Sequence, residues 1–200
     1  MLFDQAQEIA PNIWLLPRYV DTSALVPLID AVAAQAPFRH MTVPGGAQTK
    51  AALTNAGALG WGSNRFEYRY TAVDPNSGRA WPAIPTPLLE LGTQAAAACG
   101  FANFSPDACL FNRYVAGAGM GLHQDKNERD FTQPIVSVSM GAPCRFVIGG
   151  MERSAPTRSL ILSDGDVMVW GGVSRLVFHG VRPLAAGSAL RYNITLRKAG

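Results

Sequence analysis

The sequence predicts a mainly β fold of the sandwich, jelly-roll or barrel type, with two helices beside it. Three observations carry this. From residue 108 onward short apolar or alternating runs recur about every ten residues, at 108–114, 135–140, 144–148, 159–162, 166–170, 175–179 and 190–197. Turn-forming groups such as Ser163-Asp164-Gly165-Asp166 punctuate them. Helical periodicity is confined to two segments ahead of this region. Short strands at such spacing close into paired sheets or a barrel.

The first helix is expected over Ser23 to Ala36. Asp21-Thr22-Ser23 supplies capping side chains, Leu25, Leu28, Ile29 and Val32 share a face, and Pro27 falls in the first turn, where a missing N–H is tolerated. Residues 41–79 are polar, aromatic and glycine-containing, and read as short strands and loops. A second, alanine-rich helix spans Pro87 to Cys99 and is closed by Gly100. Strand 108–114 then places Leu110, Asn112 and Tyr114 on one face. The last strand alternates strictly: Leu190, Tyr192, Ile194 and Leu196 face one way, Arg191, Asn193, Thr195 and Arg197 the other.

Two hundred residues at 48% hydrophobic content can bury one substantial core, so a single domain over 1–200 is expected. The net charge of +3 sets up no basic field that would draw nucleic acid from afar. Only three of the seventeen basic residues are Lys, and the arginine excess suits local contacts to phosphate or carboxylate. Cys99, Cys109 and Cys144 lack metal spacing and sit in apolar surroundings, as buried free thiols of a reducing compartment do. With no basic-then-apolar leader and no membrane-length segment, a cytoplasmic monomer without membrane association is expected.

Chemistry concentrates in the C-terminal half. On an extended segment the side chains of His123 and Asp125 point the same way. His179, in a run read as a strand ending in a turn, is the natural third ligand. Two neutral imidazoles and a carboxylate form the facial set that holds non-haem Fe(II) and leaves positions open for a cosubstrate and O2. The arginine face of 190–197 is either solvated or the lining of an anion cavity. Behind a candidate iron ligand, the second alternative gains weight. Oxygen activation needs extra electrons, which a decarboxylating 2-oxo acid supplies. The far carboxylate of 2-oxoglutarate would need a bidentate arginine. Asn112 and Tyr114 could add hydrogen bonds. His40, with no partner at ligand spacing, reads as a surface or packing residue.

Asp107-Ala108-Cys109-Leu110-Phe111-Asn112-Arg113-Tyr114, Leu122-His123-Gln124-Asp125-Lys126, Pro134-Ile135-Val136-Ser137-Val138-Ser139, Val169-Trp170-Gly171-Gly172, Phe178-His179-Gly180 and Arg191-Tyr192-Asn193 through Arg197 together resemble the bacterial AlkB family. Its members are Fe(II)- and 2-oxoglutarate-dependent dioxygenases that oxidatively demethylate alkylated nucleobases. The similarity runs from about Ile29 to the C-terminus. It implies an α+β, mainly β fold: a double-stranded β-helix (jelly-roll) core at 108–197 buttressed by two helices, with a nucleotide-recognition segment at about 43–80. It implies Fe(II) on His123, Asp125 and His179, which are also the catalytic set. It implies 2-oxoglutarate on Asn112, Tyr114, Arg191, Asn193 and Arg197, with Arg191 and Tyr114 at the distal carboxylate and Arg197 and Asn112 at the metal-bound end.

Trp61, Tyr68 and Tyr70 are candidate stacking partners for a base pulled out of its strand, with Arg69 between the two tyrosines as a further substrate candidate. The resemblance implies Trp61, Tyr68, Arg153 and the position held by Asn127 as substrate contacts, with a flipped base held between Trp61 and His179. Lesions of the 1-methyladenine and 3-methylcytosine type, in DNA with RNA as a second candidate and in single or double strands, would lose their methyl group as formaldehyde, with succinate and CO2 released. Three positions depart from the family pattern. Asn127 stands where an Asp is usual, which removes a negative charge opposite a cationic base, and Val43 and Ala47 replace larger or polar residues. Rival functions are a 2-oxoglutarate-dependent hydroxylase of a protein or small molecule, a non-catalytic nucleic-acid-binding module, and a zinc or manganese enzyme of cupin type. The last gives no reason for two inward arginines.

Overall fold

A computed structural model describes residues 6–200 of the chain. The N-terminal strands β1 (Gln7–Ala10) and β2 (Ile13–Leu16) lead into helix α1 (Val26–Gln35). Strands β3 (Ala52–Gly57), β4 (Gly60–Ser63) and β5 (Tyr68–Thr71) precede helix α2 (Thr86–Ala98). Then follow β6 (Ala108–Tyr114), β7 (Met120–His123), β8 (Ile135–Gly141), β9 (Cys144–Ile148), β10 (Arg158–Leu162), β11 (Val167–Trp170), β12 (His179–Val181) and β13 (Arg191–Arg197). One sheet has the order β1-β2-β11-β8-β13-β6-β3, the other β10-β9-β12-β7, and β4 pairs only with β5. The pairings are antiparallel, and the two sheets with their crossovers form the expected jelly roll.

Alternation along the large sheet makes two cores. On one face Cys109, Phe111, Val136, Val138, Val167, Val169, Ile194 and Leu196 pack against Ile29 and Val32 of α1 and Leu88, Ala95 and Ala96 of α2. Ile29, Leu88, Phe111 and Leu196 are at most 1% exposed, and each such aliphatic or aromatic side chain contributes about 1.5–3 kcal/mol on burial. On the opposite face Met168 and Trp170 of β11 join Phe146, Ile148 and Leu162 of the small sheet. Farther along that inner face the apolar residues give way to Asn112, Ser137, Ser139, Arg191, Thr195 and Arg197, all buried. The polar part of the inter-sheet space is where the site forms.

Both helices occur where periodicity placed them. Asp21 caps the first through a bond from Ser23 N to its carboxylate, although the opening turn, Thr22–Leu25, is a 3-10 helix. Two sequence expectations need correction. The strand expected at 175–179 does not form. Instead the Arg175 and Val177 N–H groups bond back to the carbonyls of Gly172 and Ser174, in a turn opened by Gly172 at φ +50°. His179 therefore begins a strand rather than ending one. The final strand starts at Arg191, leaving Leu190 outside it and 43% exposed. Within 41–79, where short strands and loops are expected, β3 is a short strand that forms a buried edge of the large sheet, fully paired with β6. Strands β1, β2 and β7 carry too short a pattern to be read in advance.

Candidate active site

The site is built where the two sheets diverge. In the ladder between β7 and β12, His123 lies directly opposite His179. Asp125 follows two residues beyond the end of β7, and one potential ligand atom from each of the three residues falls within 4.8 Å of the others. His123 Nδ1 faces the Gly121 carbonyl at 2.9 Å and His179 Nδ1 that of Val177 at 3.1 Å. A carbonyl only accepts, so both Nδ1 atoms donate and both Nε2 lone pairs are free to ligate. Trp170 meets the His179 ring edge-on at 5.0 Å and Phe146 covers it at 5.9 Å, fixing its plane.

The electrostatics keep this set ready for a cation. Burial, helped by His179, pushes the His123 pKa down to about 4, although a third of the side chain remains open to the cavity it lines. Burial alone would raise the Asp125 pKa. The Arg197 guanidinium and both histidines outweigh it and hold the carboxyl well below the usual range. Arg197 Nη2 donates to Asp125 Oδ2 at 2.8 Å.

Of the two meanings open for the arginine face, the structure selects the cavity. Arg191 is 1% exposed, and its Nη1 and Nη2 donate to the Ala142 carbonyl and Ser139 Oγ. Among the described residues no carboxylate pairs with it, and its Nε has no partner. A buried guanidinium without a counter-anion is costly, which calls for an anionic ligand. Tyr114 lies opposite Arg191 in the β6–β13 ladder, and Asn112 opposite Asn193. Burial pushes the Tyr114 pKa up, so its hydroxyl is a donor. Asn112 Oδ1 and Arg197 Nε are also buried without a hydrogen-bond partner, although Glu128 Oε1 lies 3.7 Å from the latter. Two histidines, a carboxylate and an unneutralised arginine in one cavity fit Fe(II) with a dicarboxylate.

The cavity measures about 680 Å³ and reaches from these groups to Trp61, Tyr68, Asn127 and Arg153 at its mouth. Trp61, whose neighbours Gly60 and Gly62 would equally suit a loop, sits in β4, where Asn55 binds both its N–H and its carbonyl at 2.9 Å. Its ring stacks on Tyr68 at 5.6 Å. No ring contact among the described residues joins Trp61 to His179; both line the same cavity. Arg153 packs over Phe178, and Asn127 Nδ2 approaches the Tyr68 carbonyl at 3.5 Å. Val43 lines the mouth, whereas Ala47 only accepts a backbone bond from it.

Two expected substrate residues lie elsewhere. Arg69 is on the ribbon surface, paired with the exposed Glu67. Tyr70 points away from the mouth, donating to Glu128 Oε1 at 2.7 Å and accepting from Arg197 Nη1 at 3.1 Å. Arg197 itself, expected at the metal-bound end of the cosubstrate, is bonded to the ligand Asp125. Glu128 and Arg175 escaped the sequence reading altogether. Arg175 donates to the carbonyls of Asp125 and Gln133, fixing the loop that carries Asp125. Their one signal was a charged residue in an otherwise turn-like or apolar stretch, which a surface residue would also produce. His40 is exposed, its ring bonded to the Thr49 carbonyl, and the three cysteines are buried and free, all as expected.

The sequence profile of the 2OG-Fe(II) oxygenase superfamily matches residues 12–197. The chain is 47% identical to the alpha-ketoglutarate-dependent dioxygenase AlkB of Salmonella typhimurium, an alignment covering 96% of this chain and 93% of that protein. It is 46% identical to AlkB of Escherichia coli K12, covering 97% and 93%. Among solved structures it superimposes on OsALKBH1 with a TM-score of 0.84 at 26% identity, covering 97% of this chain and all of the other. A profile match over nearly the whole length, on a fold whose cavity holds the His-Asp-His set and a free arginine, leaves one conclusion: the chain belongs to the AlkB dioxygenases of the 2OG-Fe(II) oxygenase superfamily.

Proposed function

We propose that this Fe(II)- and 2-oxoglutarate-dependent dioxygenase removes alkyl groups from nucleobases, chiefly in DNA and with RNA as a second substrate, as a repair activity. The observation that carries the substrate class is the stacked pair Trp61 and Tyr68 at the mouth of the cavity that holds the triad. Aromatic faces hold an unstacked base whatever its hydrogen-bonding edge. A small-molecule hydroxylase has no need of such a rim. The names of the relatives point the same way: human ALKBH1, 32% identical over 62% of this chain, is a nucleic acid dioxygenase, and abh1 of Schizosaccharomyces pombe a tRNA demethylase.

In this assignment His123, Asp125 and His179 hold Fe(II), and Arg191, Tyr114, Asn112, Asn193 and Arg197 address 2-oxoglutarate. Fe(II) with 2-oxoglutarate and O2 supplies the oxidation of the methyl group when bound; the rest is positioning. Arg191 anchors the distal carboxylate through its fork, held in place by Ser139 and the Ala142 carbonyl. Asn193, bonded to Ser137 Oγ at 2.7 Å, keeps the inner face polar beside it. Trp170 and Phe146 exclude water from the far side of His179. Trp61 and Tyr68 receive the base, Asn127 offers an amide to its edge, and Arg153 a cation to its backbone. Once hydroxylated, the methyl group leaves as formaldehyde without a protein nucleophile.

Incubating the Fe(II)-loaded protein with 2-oxoglutarate and oligonucleotides bearing 1-methyladenine or 3-methylcytosine, with mass-spectrometric readout, tests this. Loss of the methyl mass with stoichiometric succinate is expected. Succinate formation that no alkylated oligonucleotide stimulates would leave an oxygenase of another substrate.

A further inference from the structure

The small sheet has an outer face that the active site does not use. Along β9 the side chains of Cys144, Phe146 and Ile148 point into the inter-sheet core, so Arg145 points outward. The same alternation turns His179 and Val181 of β12 inward and Gly180, then Arg182, outward. The Arg182 N–H donates to the Arg145 carbonyl at 3.0 Å, which extends the β12–β9 register by one pair and sets the two arginines side by side. A groove of about 220 Å³ runs along this face, lined by the 119–122 segment, Gly180, Lys50 and Arg182. Groove and cavity share the β7–β12 ladder as a wall; β7 is the edge strand, and Lys50 lines both. The wall is bare backbone at Gly121, where a Cβ would meet nothing within 4 Å, and at Gly180, where one would strike the Met120 carbonyl oxygen.

This face is cationic and unneutralised. Strands β7, β9, β10 and β12 contain no Asp or Glu. Lys50, Arg145 and Arg182 are exposed, and among the described residues no carboxylate pairs with any of them. Their one side-chain bond is that of Arg145 Nη1 to Ser159 Oγ at 3.3 Å. The whole chain carries only +3, so the concentration is local. Like charges directly opposite one another on a sheet are destabilising, and an anion lying across Arg145 and Arg182 removes that repulsion. A nucleic-acid strand supplies such anions in series. When one base is drawn into the cavity its flanking phosphates stay outside and must cross an edge of the site. At the β7 edge they meet Lys50, then low glycine backbone, then the two guanidinium forks, which match phosphate geometry.

We propose that the outer face of the small sheet, from Lys50 beside the cavity to Arg182 and Arg145, is a second nucleic-acid contact that holds phosphates of the strand flanking the captured base. It fixes the path of the strand and reads no sequence, as phosphate contacts do. DNA and RNA share this chemistry, so the face favours neither. The cationic face stands on the geometry above; its role in presenting a base to the cavity rests on the nucleobase function.

The test is fluorescence titration of the full chain, loaded with Mn(II) and 2-oxoglutarate, over a range of salt concentrations. Two single strands carry a central 1-methyladenine: a trinucleotide, and a strand of about 15 nucleotides that extends beyond the mouth. Wild-type protein is expected to bind the longer strand at least about tenfold tighter at low salt, with a steeper loss of affinity as salt rises. In Arg145→Gln/Arg182→Gln the length advantage falls below about threefold, and the slope of log affinity against log salt becomes shallower by about 1.4, about 0.7 for each phosphate contact. Arg145→Lys/Arg182→Lys keeps most of the slope, because a point charge also serves a phosphate. An unchanged advantage and slope in the glutamine pair overturn the proposal, as does wild-type protein that binds both strands equally or neither. A lysine pair as weak as the glutamine pair overturns it too, since the contact would then not be one of charge. Turnover of the same strands with Fe(II) separates the face from the function it rests on. Arginine-dependent binding of a strand that is never demethylated supports the face and speaks against base repair. Demethylation with a slope unaltered in the glutamine pair keeps the repair activity and removes the face.

Discussion

His123 and His179 face each other as direct cross-strand partners in the β7–β12 ladder, with ring centroids 4.4 Å apart. Their meeting is a matter of register, because a slip of one residue would turn one imidazole to the opposite face of the sheet. Gly180, next to His179, lets the strands approach this closely. A Cβ there would lie 2.7 Å from the Met120 carbonyl oxygen and 3.1 Å from the Gly121 backbone.

Gly180→Ala is therefore expected to push β7 away from β12. Backbone atoms cannot swing aside as a side chain can, so the strain is about 1–3 kcal/mol of stability. The two Nε2 atoms separate, and metal affinity falls by about 10–100-fold, the effect typical of displacing what orients a ligand. Metal titration of the variant checks this; unchanged affinity in a folded protein would mean that the ladder does not set the ligand spacing.

The parts of this fold that follow from local rules were legible in the sequence. The capped first helix, the alanine-rich second helix and the alternation of β6 and β13 each announce themselves within a dozen residues. So did the triad, since His123 and Asp125 are neighbours and His179 is one of only three histidines. What could not be read depends on partners far along the chain. Trp61 looks like a loop residue until Asn55 binds its backbone, and Tyr70 like a base-stacking residue until Glu128 and Arg197 take its hydroxyl. The apolar run Leu176-Val177-Phe178 before His179 reads as a strand, but Arg175 is drawn to the Asp125 and Gln133 carbonyls instead. Tertiary hydrogen bonding overrode local pattern in each case.

Two members of the metal set differ in what their loss does to the fold. His123→Ala removes a side chain that is 33% exposed, so 2-oxoglutarate turnover is abolished while stability changes little. Asp125→Ala also abolishes turnover, but leaves Arg197, with only 7% of its side chain exposed, without its closest anion. Stripping one partner from a buried pair destabilises by about 3–5 kcal/mol. Denaturant unfolding of the two metal-free variants distinguishes them. Equal stabilities would show that Glu128 alone satisfies Arg197, and full turnover in either would remove that residue from the metal set.

Arg191→Ala deletes a buried cation that no carboxylate of the described chain neutralises. The lost charge-assisted contact to the distal carboxylate weakens 2-oxoglutarate binding by about 2–4 kcal/mol, roughly thirty- to a thousandfold. Arg191→Lys recovers only part of this, because an ammonium cannot reproduce the fork held by Ser139 and Ala142. Calorimetric titration with 2-oxoglutarate under Mn(II) measures both. An affinity unaltered in Arg191→Ala would exclude it from the cosubstrate site.

Trp61→Ala removes one face of the stacked pair at the cavity mouth. Oligonucleotide binding is expected to weaken by about 1–3 kcal/mol while uncoupled 2-oxoglutarate decarboxylation survives. Asn127→Asp restores a negative charge at the same mouth and favours cationic 1-methyladenine over an unmethylated control. Titrations of the three proteins at one salt concentration decide the matter; identical weak binding by all would remove the nucleobase from the assignment.

Acid stability has a source remote from the site. Arg39 donates through both Nη atoms to Asp74, at 3.0 and 2.6 Å, and Asn76 N and Ser77 Oγ add further bonds. Burial would raise the Asp74 pKa, but these bonds, led by the one from Arg39, outweigh it and bring the pKa below its ordinary value. A carboxyl with a depressed folded-state pKa stabilises the protein above the unfolded-state pKa of about 3.9, and that contribution is lost as pH falls through the lower, folded value. Asp74→Asn is thus expected to be less stable than wild type by about 1–3 kcal/mol at pH 7. Between pH 7 and 5 the gap stays constant, because neither state takes up a proton there. Below about pH 4 it narrows, as the wild-type carboxyl becomes protonated and resembles the amide. Paired urea unfolding curves at pH 7, 5 and 3 follow the difference directly, and a gap that widens toward acid would reverse the sign assigned to Asp74.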